Sequence, residues 1–164
     1  MTLWANIDTY LQAELLAELG AAGSYTTLKV KQVLIDETLT IEDISTPVIQ
    51  AMLPVVLVRS HHAEQETGAH GNGRVNIENI YTYFIIAIAL STGKQQAKRD
   101  AQEMRMRLRE FLRTRLSFGG LTATDGELVS KVIWGGSDLE VIPNDKQPGN
   151  YFNVAAIGFK VQSK

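Results

Sequence analysis

Ile80-Tyr-Thr-Tyr-Phe-Ile-Ile-Ala-Ile-Ala-Leu90, followed by Ser-Thr-Gly and the charged stretch Lys94–Leu116, is the part of the sequence that decides the fold. Apolar residues occupy both the odd and the even positions of the first segment. Since side chains alternate between the two faces of a strand, this pattern predicts a strand that is covered on both sides. We expect a helix on one face and another element, or a neighbouring subunit, on the other.

The stretch after this strand has the periodicity of an amphipathic helix. Its apolar residues recur at steps of three and four, which places them on one face: Ala97, Ala101, Met104, Leu108, Phe111 or Leu112, and Leu116. Ser91 or Thr92 is expected to cap this helix, and Gly93 to form the turn into it. The helix is predicted to lie across one face of the sheet.

The other faces of the predicted helix are basic. Lys94–Leu116 contains eight Lys and Arg against three acidic residues, so it carries +5 and leaves −7 for the rest of a chain whose net charge is −2. A candidate basic face for phosphate or partner contacts comprises Lys98, Arg105, Arg107, Arg109 and Arg113. The alternative is a solvated outer face, which is favoured because no aromatic residue interleaves with these arginines in the sequence.

Composition limits the classes of protein to which the chain can belong. Its 164 residues suffice for a single domain, 1–164, and 45% apolar and 21% charged residues are ordinary for a globular protein. The absence of cysteine excludes disulfides and Cys-ligated metals. Apolar runs fall short of the ~20 residues of a membrane helix, and no secretory signal is visible, so we expect synthesis in the cytoplasm and no membrane partner.

Helical spacing and apolar alternation predict the remaining elements. They indicate a first helix at Trp4–Leu19 and strands at Leu28–Ile35, Pro54–Ser60, Glu127–Trp134, Ser137–Ile142 and Tyr151–Val161. Gly135-Gly136 matches the two-residue turn of a hairpin. The order predicts an α+β fold with a mainly antiparallel sheet, one long helix packed on one face, a second, N-terminal helix and an extended β-arm.

The β-arm is predicted from His61–Glu78, a long polar connection between two strands. Connections beyond ~12–15 residues are uncommon unless they are functional or disordered, and we expect a mobile tip near Gly68–Gly73. The candidate contacts with a neighbouring subunit or a tube are Arg59, His61, His62, Glu64, Glu66, His70 and Arg74. A metal site built from the histidines and glutamates is the less favoured alternative, because a polar loop does not hold ligands convergent.

No motif in the sequence indicates a chemical reaction. Gly-x-Ser-x-Gly is absent, and Gly71-Asn-Gly73 lacks the strand-to-helix setting of a phosphate-binding loop. Asp138 and Glu140 would share one face of a predicted strand, either as an acid–base pair or, as we favour, as part of a solvated face. We therefore expect no enzyme, no catalytic residue, no metal and no cofactor. A small enzyme with an unrecognised site is the alternative.

Three stretches of the chain, in this order, carry a resemblance to a known protein family. Ser45–Val58 leads through short turns and a Pro into an apolar strand, Tyr81–Leu116 joins an apolar strand to a long charged helix, and Tyr151–Val161 is a closing strand. In this arrangement the chain resembles the tail-terminator (tail-completion) proteins of tailed bacteriophages. The resemblance implies a structural virion protein that forms a hexameric ring, caps the tail tube, ends its polymerisation and provides a docking surface for the head or neck.

The resemblance also implies partners and a location. The partners would be further copies in a homohexameric ring, the tail-tube protein, the head-proximal neck or connector protein, and genomic DNA passing through the lumen without specific binding. The protein would be found in the tail and neck region of the virion, after assembly in the host cytoplasm. The charge segregation suits a ring with an outward basic helix and an acidic sheet that repels DNA. Another neck or tail-tube component, or a nucleic-acid-binding α+β module that uses the basic helix, is the alternative.

Overall fold

The structure is a computed structural model that describes residues 2–20, 23, 29–35, 47–70, 74–115, 118 and 126–163, with the backbone alone for 47–49, 64–70 and 74–78. In chain order its elements are α1 (Leu3–Leu19), β1 (Gln32–Ile35), α2 (Pro47–Met52), β2 (Val55–His70), β3 (Arg74–Thr92), α3 (Lys94–Arg113), β4 (Val129–Pro143) and β5 (Asn150–Ser163). The five strands form one sheet in the order β1-β2-β3-β5-β4, with β1 parallel to β2 and the other pairs antiparallel. The predicted α+β fold is confirmed.

α1 and α3 pack on the same face of the sheet because each has one apolar stripe. The buried stripes are Leu3, Ile7, Leu11, Leu15 and Leu19 in α1, and Ala97, Ala101, Met104, Leu108, Phe111 and Leu112 in α3. All of them except Ala97 and Ala101 form the main core together with odd-numbered residues of β3 and β5, so we call this side of the sheet the helix face. The stripe predicted for α3 is confirmed as far as Leu112. None of the helices in the described part of the chain is long and apolar enough to cross a membrane.

The residues that flank the two helices explain where the helices begin. The Thr2 hydroxyl accepts a hydrogen bond from the Ala5 N–H at 3.2 Å and caps α1. The expected cap of α3 is wrong: Gly93, at φ 85°, is the N-cap residue, and no side chain among the described residues caps this end. Ser91 still belongs to β3, and its hydroxyl instead donates to the buried Asp100 carboxylate at 2.5 Å.

β3 is the central strand, and its two faces are covered to different extents. Its odd-numbered residues, such as Tyr83, are buried under the helices. On the even-numbered side, Leu53 packs with Ile88 and Phe152 in a second, smaller cluster. Further along the same side, Phe84 is 49% exposed. The helix predicted for one face is therefore confirmed. The other face, which we call the open face, is covered by described residues at one end only.

The predicted hairpin at Gly135-Gly136 is wrong. β4 runs without a turn from Val129 to Pro143, and the register with β5 shifts by one residue between Trp134 and Gly136. A Cβ at Gly135 would lie 2.8 Å from the Gly158 carbonyl oxygen, and Gly136 has φ 136°. The two glycines therefore permit a close approach to β5 and a β-bulge, a role that the sequence does not distinguish from a tight turn.

β1 is shorter than the strand predicted at Leu28–Ile35. It begins at Gln32, and Leu28 lies outside the described residues. The Val30 N–H donates to the Leu19 carbonyl at 2.8 Å, so this part of the backbone is bonded to the end of α1 rather than to a strand. The four residues of β1 pair in parallel with the start of β2, which makes the sheet mixed.

β2 and β3 continue beyond the sheet as a two-stranded ribbon. The pairing of β3 with β5 ends at Ile80, while the pairing of β2 with β3 continues to His70 and Arg74 with one irregularity. We call residues 64–79 the arm. At ~3.3 Å per residue, the ribbon reaches roughly 20 Å past the sheet. The predicted arm is confirmed; of its predicted mobile tip, Gly68 lies in β2 and residues 71–73 lie outside the described part.

Candidate interaction surfaces

A hydrogen-bonded cluster fixes the base of the arm. One oxygen of Glu127, Oε1, accepts hydrogen bonds from Asn79 Nδ2 at 2.7 Å, from the Tyr81 hydroxyl at 2.9 Å and from the Ser163 hydroxyl. His62 Nε2 lies 3.0 Å from Asn79 Oδ1 and extends the cluster to β2. The base of the arm is therefore tied to the segment before β4 and to the end of β5.

Aromatic packing adds a second attachment at the same place. The imidazole of His62 stacks on the Tyr81 ring, with centroids 4.8 Å apart and planes 14° from parallel. Trp4 of α1 lies 5.7 Å from the His62 ring, and its Nε1–H donates to the Ser60 hydroxyl at 2.6 Å. Sequence reasoning singled out His62 alone in this group. The base of the arm is thus held by α1 as well as by the sheet.

The predicted contact residues lie on one hairpin but on two of its faces. Arg59 and His61 are on the open face, in register with Phe84 and its neighbour Thr82. The adjacent His62 is on the helix face. The remaining four lie in the arm, where the backbone alone is described: Glu64, Glu66, His70 and Arg74. A single partner surface therefore does not meet all of these side chains.

Metal binding finds no support in the part of the chain that is described. There, no three His, Asp or Glu side chains come together as a metal site requires. Asp138 and Glu140 share one face, as predicted, and both are exposed on the open face in register with Ala156 and Val154. The exposed position agrees with the solvated strand face that the sequence favoured.

The open face forms a shallow apolar concavity beside Phe84. The Phe84 ring lies across Gly158, where an added Cβ would come within 3.2 Å of the ring. Gly136 and Ala156 complete the floor of a depression of about 490 Å³, with Asp138 at its margin. Glycines and an alanine on adjacent strands thus leave room above the sheet, and the exposed aromatic ring forms one wall of that room.

Charges on the open face are of both signs. Register places Arg59, Lys131 and Lys160 on it, together with Asp138 and Glu140. The sequence led us to expect an acidic sheet opposite a basic helix. The described residues of the open face carry both signs of charge and do not form such a face.

The basic residues predicted on α3 lie on the helix surface, but only some of them are exposed. Lys98, Arg109 and Arg113 are exposed, whereas Arg105 and Arg107 are half-buried. Arg107 lies 3.9 Å from Glu110 one turn away. Beyond the helix, the guanidinium of Arg115 bonds to Glu14 and Glu18 of α1 at 3.0 and 3.3 Å, so this cation joins two helices rather than facing a partner.

An amphipathic groove separates the basic face from the outer edge of the sheet. We call it the α3–β4 groove; its volume is about 610 Å³, and it is lined by Met106, Arg109, Glu110, Arg113, Val132 and Trp134. The guanidinium of Arg109 lies 5.8 Å from the centre of the Trp134 ring. Sequence reasoning missed this pairing, since the aromatic residue comes from β4 and not from the helix.

Two buried polar groups serve the core. Asp100 accepts hydrogen bonds from Ser91 and, at 2.8 Å, from Gln96, which ties the start of α3 to the end of β3. Burial, and then the charge of Asp8, raise the pKa of the Tyr83 hydroxyl far above its ordinary value of 10.0. Tyr83 thus remains protonated in the folded protein. The Asp100 carboxylate connects two elements of the fold, and the Tyr83 hydroxyl is buried in the main core.

Comparisons with known proteins leave the family of this chain open. No protein-family model matches the sequence, and a search of curated proteins finds no relative. A function therefore has to be inferred from the surfaces described above. Those surfaces are the open face, the arm with its anchored base, and the α3–β4 groove.

Proposed function

We propose that this chain is a structural virion protein of the tail-terminator type. It would form a homohexameric ring that caps a tail tube, ends polymerisation of the tube and provides the docking surface for a head-proximal neck protein. The observation that carries the proposal is the open face. Phe84 is 49% exposed on the central strand of the sheet, in an apolar depression that no helix in the described part of the chain covers. Such a patch is typical of a surface that a protein partner completes.

The arm supports assembly for a separate reason. A ribbon of two strands has free backbone groups along its edges, and such edges are ready to pair with or pack on another chain. Its base is held by the Glu127 cluster and by Trp4, so the arm is presented in a defined direction. A rigidly mounted projection is suited to a contact between subunits or between ring and tube.

The polar clusters support a role without catalysis. The Glu127 carboxylate accepts from three side chains that are distant in the sequence, and the Asp100 carboxylate accepts from two that lie close to it in the sequence. Groups that hold one another in this way stabilise the structure rather than await a substrate. In the proposed ring, DNA would pass through the lumen without specific binding.

Native mass spectrometry and negative-stain microscopy of the purified chain test the proposal. We expect a symmetric oligomer of six subunits with a central opening. Added to polymerising tail tubes, the protein should shorten them and remain at one end. A ring that binds along the tube or at the head side alone would instead indicate another neck or tail-tube component, and a monomer at all concentrations would contradict the proposal.

One observation favours a second candidate, a nucleic-acid-binding α+β module. Arg109 lies over Trp134 beside Arg113. Single-stranded nucleic acids stack their bases on exposed aromatic rings, and neighbouring cations attract their phosphates. This candidate predicts DNA binding by the monomer that weakens steeply as salt is raised. Titration of labelled DNA at two salt concentrations distinguishes it from the ring protein, for which we expect negligible affinity.

A further inference from the structure

We infer that the α3–β4 groove receives the arm of a second copy of this chain. The inference rests on the proposed ring and identifies the contact that would close it. It joins two of the three surfaces described above, the arm and the α3–β4 groove, and each of them has features that the other complements.

The groove has an apolar floor and a basic rim. Met106 is 57% exposed and Trp134 is 47% exposed, and both side chains line the groove. Arg109 and Arg113 stand on the helix side of the groove, with Glu110 between them. The occupant that suits it is a narrow segment with apolar residues and a negative charge.

The arm has that composition. Residues 64–79 contain Glu64, Glu66 and Glu78 against the single cation Arg74, a net charge of −2 with neutral histidine. Val75 and Ile77 alternate with polar residues in its second strand. In composition, the carboxylates of this sequence complement the arginines of the groove, and its aliphatic residues complement Met106 and Trp134. The pairing is favourable in charge and in hydrophobic character.

The geometry favours an arm from another copy over the chain's own arm. The arm continues the line of β2 and β3, whereas the groove lies on the far side of β5, which separates β3 from β4. Two strand spacings place the groove roughly 10 Å to the side of a ribbon that projects roughly 20 Å forward. The described lining of the groove comes from α3 and β4.

An arm-to-groove contact is head-to-tail and therefore repeats. Each subunit that receives an arm still offers its own arm to the next subunit, and such contacts close into rings when the rotation permits. The outer edge of β4 runs beside the groove and has no partner strand among the described residues. Backbone groups of an incoming ribbon can bond to that edge, which adds to the side-chain contacts.

Cysteine cross-linking tests the contact directly, because the chain has no cysteine of its own. One preparation carries Glu66→Cys and a second carries Met106→Cys, and the two are mixed and oxidised. We expect a cross-linked dimer containing one chain of each kind. In the control mixture Lys98→Cys replaces Met106→Cys; Lys98 is exposed on α3 but outside the groove. Equal cross-linking in both mixtures, or none in either, would overturn the inference.

Charge reversal gives an independent measurement. Arg109→Glu with Arg113→Glu should weaken self-association at least ~10-fold, and adding Glu64→Arg with Glu66→Arg should restore it. Lys94→Glu with Lys98→Glu is the matched control and should leave association unchanged. Sedimentation equilibrium measures all four proteins.

The outcomes separate this inference from the proposed function. A ring that forms equally well in the Arg109 and Arg113 reversal overturns the arm-to-groove contact and leaves the proposed ring intact. A wild-type chain that stays monomeric overturns both. If that monomer binds DNA, and the same reversal abolishes the binding, the groove is a nucleic-acid surface instead.

Discussion

Truncation of Phe111 to Ala tests whether the apolar stripe of α3 holds the helix on the sheet. Phe111 is fully buried in the main core. Large aromatic truncations in cores cost about 3–5 kcal/mol, because the transfer free energy is lost and a cavity remains. The Arg115 guanidinium also lies 4.9 Å from the centre of this ring, a contact worth about 0.5–1 kcal/mol. We therefore expect a loss of about 4–5 kcal/mol.

A loss of this size is readily measured. Domains of this length unfold about 2–4 °C lower for each kcal/mol, so the melting temperature should fall by about 10–20 °C. Urea denaturation followed by circular dichroism gives the free energy of unfolding directly. Phe111→Leu retains most of the volume and should lose less, which keeps the comparison possible if the Ala variant does not fold.

Gln102→Ala is the matched control, since Gln102 is exposed on the same helix. It should change stability by less than about 0.5 kcal/mol. A loss below about 1 kcal/mol for Phe111→Ala would refute the reasoning, because it would mean that the stripe does not form a close-packed core.

Three further predictions concern other parts of the molecule. Burial raises the pKa of Tyr83 in the folded state, so the Tyr83 side chain of the unfolded chain loses its proton first as pH rises. The free energy of unfolding should therefore fall above about pH 10. Tyr83→Phe should make this fall shallower in urea titrations at several pH values. Glu127→Ala leaves Asn79 and Tyr81 without their shared acceptor and should lower the free energy of unfolding by about 1–3 kcal/mol. Amide exchange at the base of the arm should become faster, and unchanged exchange would mean that the cluster does not hold the arm. Phe84→Glu should leave the free energy of unfolding of the isolated subunit within about 0.5 kcal/mol and abolish capping of tail tubes, and normal capping by this variant would remove the open face from the proposed function.

The sequence predicted best the features that depend on near neighbours. The stripe of α3 and the two apolar faces of β3 are visible as periodicity, because residues three or four apart, or two apart, share a face. The bulge of β4 was missed, since Gly135-Gly136 satisfies the pattern of a turn equally well. Its role is decided by the backbone at Gly158, 2.8 Å from where a Cβ of Gly135 would be.

The candidate sites were harder to predict than the bulge, because they are formed by residues that lie far apart in the sequence. Glu127 carries no local signal, yet it bonds to Asn79, 48 positions earlier, and to Ser163, 36 positions later. Likewise, the basic face of α3 gains an aromatic neighbour only because the fold brings Trp134 beside Arg109. Periodicity locates the faces of an element, but it does not indicate which other element arrives there.

The order of strands has a consequence for synthesis on the ribosome. β5 follows β4 in the chain but lies between β4 and β3 in the sheet. The residues of β4 are therefore translated before the strand that links them to the rest of the sheet, and β4 cannot join the sheet until β5 has followed. Rapid translation at high temperature should then increase aggregation, whereas slower expression or a chaperone that shields apolar strands should increase the yield of folded subunit.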